Sequence, residues 1–295
     1  MRLDRFVLPV SLLGKISFVD SFVFAVTKRT TTTDTRRMIM MMMMSPPVDL
    51  YPYASRDEIA SRFPNSHKVI HFVRHAEGTH NVHQDYWADV HHDARLTDRG
   101  IQQCEALAER NHKLHRSDFV VTSTMTRCVQ TALLSFPTLT TFVAHESLRE
   151  TVNFISDKRR LITEIANEFP KVDFSAVEHD DDPIWNAYVE KLWDDWEYLR
   201  ESADLVQVAA RGRTFFQYLK TCPPNEVVVC THSAFLRCVL NWGYGVPLKP
   251  PQTLGGEAED HPVVRYCGDK EWEDSMRACY DNCELRSMVV VFPDN

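Results

Sequence analysis

The stretch that decides the fold is Lys68-Val69-Ile70-His71-Phe72-Val73-Arg74-His75. Its apolar run reads as a β-strand that delivers an arginine and a histidine side by side into the following loop. An imidazole can attack phosphorus and leave it again, and a guanidinium holds phosphate oxygens in a fork of donors. On its own such a pair is more often a surface or hydrogen-bonded feature, so its meaning depends on what lies downstream.

Downstream, strand and helix patterns alternate. Residues 98–115 read as a helix with Ile101, Cys104, Leu107 and Ala108 on one face, 118–122 as a strand, 125–136 as a helix and 140–144 as a strand. Helices are expected at 158–169, 183–202 and 206–221, then a strand buried on both faces at 226–230, a helix at 233–242 and a last strand at 286–292. This order predicts an α/β fold, a three-layer α/β/α sandwich on a mostly parallel, doubly wound sheet. Trp185, Trp193 and Trp196 are expected to pack on the domain.

Upstream, residues 45–66 contain Pro46, Pro47, Pro52 and Pro64 and read as a leader that wraps onto the domain or stays mobile. Residues 67–295 are then one domain. Residues 1–44 stand outside it, with a basic start, an apolar stretch, Lys28-Arg29, a threonine run, Arg36-Arg37 and methionines at 40–44. Two readings hold: a targeting peptide, or an upstream extension of a protein that starts at Met38 to Met44. A cytoplasmic location is the default, and an organellar one follows if 1–44 is a targeting peptide. Pro9, Lys15 and Asp20 interrupt the apolar stretch, which argues against a membrane span.

The chain is 44% apolar and 25% charged, the composition of a globular protein. Its net charge of −8 becomes −12 for residues 45–295, because 1–44 carry seven Lys and Arg against three Asp. That argues against nucleic acid as a partner and requires a local arginine cluster for any anionic substrate. The eight cysteines form no CxxC, and only Cys279 and Cys283 suggest a pair, by helix spacing.

Neither GxxxxGK[ST] nor GxGxxG occurs, so nucleotide binding through a glycine-rich loop is not expected. HExxH is absent too. His67, His71 and His75 would align on a helix but not on a strand, and His91-His92-Asp93 reads as an exposed loop, so no metal is expected. What converges lies at strand ends, where doubly wound sheets bind ligands. Arg74-His75 and Asn81 follow the first strand, Ser123 to Arg127 the second, Glu146 and Glu150 the third. His232-Ser233 follows Val227 to Thr231, at the mouth of a helix whose free N–H groups favour an anion. Two histidines, two arginines and a carboxylate at four strand ends describe a phosphoryl-transfer site.

These motifs resemble the histidine phosphatase superfamily, in its phosphoglycerate mutase branch, from about His67 to Phe292. Arg74-His75-Ala76-Glu77-Gly78 is similar to the Arg-His-Gly signature, with alanine for its glycine, and Asn81 stands six residues after the histidine. Leu96 to Gly100, Ser123 to Thr131, Leu148-Arg149-Glu150 and Thr231-His232-Ser233 resemble the later motifs in order. Asp157 to Arg160 and Asn282 to Ser287 resemble segments of the plant and eukaryotic phosphoglycerate-mutase-like type.

The resemblance implies that His75 is a nucleophile forming a phosphohistidine, that Arg74, Arg127 and His232 surround the phosphoryl group, and that Glu150 is the acid, with Glu146 as fallback. Asn81 and Ser233 would contact phosphate. Lys158, Arg159 and Arg160 either begin a solvated helix or capture a second anionic group, and Arg149 reads as structural. For attack His75 must be unprotonated, a state the flanking arginines favour. Gly78 replaces the hydroxyl residue usual in true mutases. The expected activity is therefore metal-independent phosphomonoester hydrolysis on a small phosphorylated substrate, without a cofactor. A phosphoglycerate or phosphosugar mutase, which would use 2,3-bisphosphoglycerate, is the alternative, and a silent phosphate-binding module the second. A lid for the mutase would come from 243–282.

Overall fold

The computed structural model describes residues 46–83, 85–110, 118–191, 201, 205–244 and 262–293. Among them the strands are β1 (Val48–Pro52), β2 (His67–Arg74), β3 (Phe119–Thr122), β4 (Thr141–Ala144), β5 (Val172–Asp173), β6 (Glu226–Thr231), β7 (Val264–Tyr266) and β8 (Leu285–Val291). The α-helices are α1 (Arg56–Arg62), α2 (Thr79–His83), α3 (Asp98–Arg110), α4 (Thr126–Ser135), α5 (Ile162–Glu168), α6 (Pro183–Lys191), α7 (Val206–Thr221), α8 (Ser233–Asn241) and α9 (Lys270–Arg277).

The strands form one sheet in the order β5-β4-β3-β6-β2-β8-β1-β7. All neighbours are parallel except β8, which runs antiparallel between β2 and β1. The central pairing of β2 with β6 runs from Val69 opposite Glu226 to Arg74 opposite Thr231, so both strands end at the same level. That register is what brings His75 and His232 to one edge of the sheet.

The two-residue period of the strands divides the core between two faces. Ile70, Phe72, Val227 and Val229 point toward α7 and α8, among Val208, Phe215, Phe216, Leu219, Phe235 and Leu236. Val73, Val228 and Cys230 point the other way, among Cys104 and Leu107 of α3, Val129 and Ala132 of α4, and Ile165 of α5. The result is an α/β/α sandwich on a mostly parallel sheet, as the alternation predicts. Each such side chain, fully buried, contributes about 1.5–3 kcal/mol.

Several segments depart from the sequence reading. Residues 45–66 are more than a leader: β1 pairs with β7 and β8, and α1 covers Val69 and Val289 through Ile59. The helix expected at 158–169 begins only at Ile162. Arg159 N–H donates to Asp182 Oδ2 (2.8 Å) and Ile162 N–H to Asp180 O (2.9 Å), so the chain before the helix is tied to 180–182 instead of coiling. His91 and Asp93 are buried, unlike the exposed loop expected. Met125 offers α4 no side-chain cap, and Asp93 supplies it from a distant loop, accepting from Thr126 N–H at 2.9 Å.

His71 lies on the buried strand and bonds Ser287 Oγ (2.7 Å) and Glu226 Oε1 (3.1 Å). Cys279 and Cys283 are both free thiols, the first exposed and the second buried, because α9 ends at Arg277 and they share no helix. Trp185 is buried and packs as expected, whereas Trp193 and Trp196 lie outside the described residues. So do residues 1–45, the expected helix tail 111–115 and, within the proposed lid, 245–261. The described part of that lid segment holds β7 and α9 instead. No described helix is long and apolar enough to cross a membrane.

Candidate active site

The loop after β2 carries His75, held by its backbone N–H to Thr231 O (2.9 Å) and buried. Its Nδ1 lies 2.7 Å from Ala76 O, and a carbonyl only accepts, so Nδ1 bears the proton. The Nε2 lone pair is therefore exposed to chemistry. Burial first, then Arg127, His80 and Arg74, holds the imidazole well below its ordinary pKa, so it is neutral. The sequence reading assigned that effect to the arginines; desolvation is the larger cause.

The His232 ring stands edge-on to His75, with ring centroids 5.2 Å apart. Arg127 Nε donates to its Nδ1 at 3.3 Å, which places the proton on Nε2, and Nε2–H reaches Ser123 Oγ at 2.9 Å. Burial, Arg127 and His75 depress its pKa well below the usual value. The two rings are thus locked in opposite tautomers, one offering a lone pair at Nε2 and the other a proton.

Arg127, on the first turn of α4, is wholly buried. Besides His232 it donates to Ser156 O (2.7 Å) and Asp157 Oδ1 (3.0 Å), and these bonds leave part of its donor set uncommitted. Arg74 donates from Nη1 to Tyr280 O (2.7 Å). Burial lowers its pKa and nearby Glu150 opposes that effect. Arg74 Nε, His80 Nδ1, Thr124 Oγ1 and Ser156 Oγ are buried without a hydrogen-bond partner among the described residues. Such orphans at one end of a sheet mark a polar binding site.

Glu150 comes from the loop after β4. Its Oε1 accepts from Thr151 N–H (2.9 Å) and Phe235 N–H (3.0 Å), and Oε2 from Ala234 N–H (3.2 Å). The anion site expected at the α8 mouth is thus filled by the chain's own carboxylate, and Ser233 stands beside it. Glu146 is buried in ion pairs with Arg149 (2.9 Å) and Arg159 (3.4 Å), which overcome the upward push of burial and lower its pKa. Arg149 also grips Asp182 through two bonds, at 2.6 and 2.8 Å, a structural clamp as expected.

The remaining expected contacts face elsewhere. Lys158 Nζ lies over the Trp185 ring, 5.5 Å from its centroid. Arg159 is buried and spends its guanidinium on the carbonyls of Arg160, His179, Asp180 and Asp181. Arg160 bonds Asp93 Oδ2 (3.0 Å), Thr126 Oγ1 (2.8 Å) and Glu168 Oε2 (3.0 Å). Asn81 Oδ1 accepts from Gly78 N–H (3.0 Å), shaping the loop. Two groups of the site fall outside the residues expected from the sequence: His80, beside His75, and the buried carboxyl of Asp157, on Arg127. Only their place beside the Arg-His and Asp157-Lys158-Arg159-Arg160 motifs signalled them.

Comparison with known proteins places the chain in a family. Residues 70–274 match the model of the histidine phosphatase superfamily, branch 1. A phosphoglycerate mutase-like protein of Arabidopsis thaliana is 32% identical over 264 residues, covering 76% of this chain and 84% of its own. Phosphoglycerate mutase-like protein 1 of the same plant is 30% identical, covering 76% and 81%. Among solved structures, the alpha-ribazole phosphatase of Shigella flexneri aligns with a TM-score of 0.43 at 16% identity, over 74% of this chain and 89% of that one. With the family match spanning most of the described fold, and relatives aligned along most of their length, this chain belongs to the histidine phosphatase superfamily, branch 1.

Proposed function

We propose that this protein hydrolyses phosphate monoesters, without a metal, through a phosphohistidine formed on His75. The observation that carries the reading is the pair of opposed tautomers: a buried, neutral nucleophile beside a buried, neutral donor. His75 Nε2 attacks phosphorus as the ester oxygen departs, forming the N–P bond while the P–O bond breaks. The departing oxygen takes up the proton that the ester monoanion brings in, relayed through the Glu150 carboxylate. Arg74, Arg127 and the Nε2–H of His232, which leaves Ser123 Oγ when phosphate enters, hold the phosphoryl oxygens, whose charge spreads in a loose transition state. Water then attacks phosphorus, gives its proton to Glu150, and phosphate leaves with His75 restored.

A small phosphorylated substrate fits this reading, with Arg74, Arg127 and the two histidines gathered at one end of the sheet. Lys158, with its ammonium on the Trp185 ring, is the group from which a second anionic contact could come. Labelled phosphate from a panel of phosphate esters is expected to enter an acid-labile, alkali-stable adduct that His75→Ala abolishes. No adduct from any ester would favour a silent binding module. Running the panel with and without 2,3-bisphosphoglycerate separates hydrolysis from mutase action: dependence on the bisphosphate would select the mutase.

A further inference from the structure

His80 has no part in the scheme above, yet it is buried with its ring centroid 5.6 Å from that of His75. Its tautomer follows from its neighbour. Gly78 N–H can only donate, so the Asn81 atom that receives it is Oδ1, and the atom 3.2 Å from His80 Nε2 is therefore the amide nitrogen. Asn81 donates, His80 Nε2 accepts, and the proton of the neutral ring resides on Nδ1. Burial, then Arg127, His91 and Arg74, keep the ring neutral by pushing its pKa down to about 2.

That Nδ1–H is a buried donor without a partner among the described residues. Burying an unpaired N–H is unfavourable, and an apolar ring would fill the same space without the penalty. Gly78 lies close beside this edge, and glycine is what leaves the ring room there: a Cβ would come within 2.7 Å of both Nδ1 and Cε1 of the ring. The ring's other contact, with Tyr86 at 5.9 Å between centroids, fixes its orientation without using Nδ1.

We propose that His80 touches the substrate, its Nδ1–H donating to an oxygen of the phosphate ester held over His75. This rests on the phosphohistidine reading of the site. Asparagine can place an amide N–H near the Nδ1 position, whereas glutamine reaches past it toward Nε2. With 4-nitrophenyl phosphate as probe, His80→Asn is expected to lose about threefold in kcat/KM and His80→Gln about tenfold to a hundredfold, with orthovanadate inhibition weakened in parallel. Equal losses in the two variants, or none in His80→Gln, would overturn the proposal.

Should either variant fail to fold, the wild-type chain labelled with ¹⁵N-histidine answers the question directly. Orthovanadate is expected to shift the His80 Nδ1 resonance, and an unmoved resonance in a protein that still forms the His75 adduct overturns the contact alone. A wild-type protein that forms no adduct overturns the reading of the site, and this proposal with it.

Discussion

Asp157 is a buried carboxyl that pairs with Arg127 at 3.0 Å. Burial pushes its carboxyl up to about 7 despite the pull of Arg127, with Glu150 adding to the rise. Below about pH 4 this group is protonated in folded and unfolded chains alike. As pH climbs toward 7 the unfolded chain releases the proton while the folded chain keeps it, so stability falls. Above 7 both are ionised and the loss is constant, about 4 kcal/mol in all. The melting temperature of Asp157→Asn relative to wild type is therefore expected to rise from pH 4 to 7 and then level. Thermal melts across pH test this, and a constant difference would contradict it. For His75 the depressed pKa moves the acid limb of activity well below pH 6.5, lower than flanking arginines alone imply.

At the level of the element, the site depends on how closely α7 approaches α8. A Cβ on Gly212 would lie 2.5 Å from Val239 Cγ2, so the two helices touch through a glycine. Gly212→Ala is expected to destabilise by about 1–3 kcal/mol and to lower activity, because α8 follows directly on His232. Val239→Ala in the same chain should restore part of the loss in denaturant unfolding; no restoration would mean the contact is not the cause. Elements of this kind were legible when their signal was local. Strands β2, β3 and β6 and helices α4, α7 and α8 follow from apolar runs and periodicity, and among them the end of β2, the start of α4 and the end of β6 place His75, Arg127 and His232. What was not legible depends on distant partners. β1 is short and bounded by prolines, with partners more than 200 residues on. Asp93 is buried because α4 lacks a cap of its own. His80 becomes informative only through the orientation of the Asn81 amide.

Across the whole molecule, β1 joins the ends of the fold: Val48 pairs with Val264, and Leu50 lies between Tyr266 and Val290. A chain beginning at Met44 keeps this strand, and is expected to melt and turn over like the full-length protein. Removing residues through Pro52 takes out the strand between β8 and β7, and is expected to abolish cooperative unfolding in calorimetry; a sharp, unshifted transition would refute this. The same strand order also bears on synthesis. β1 and β2 leave the ribosome early, while β6, β7 and β8, their partners in the sheet, leave late. The loop that carries His75 is thus translated long before the strands that enclose it. Until β6 emerges β2 waits without a neighbour, and β1 waits longer, until β7, a period in which the nascent chain is inactive and most in need of a chaperone.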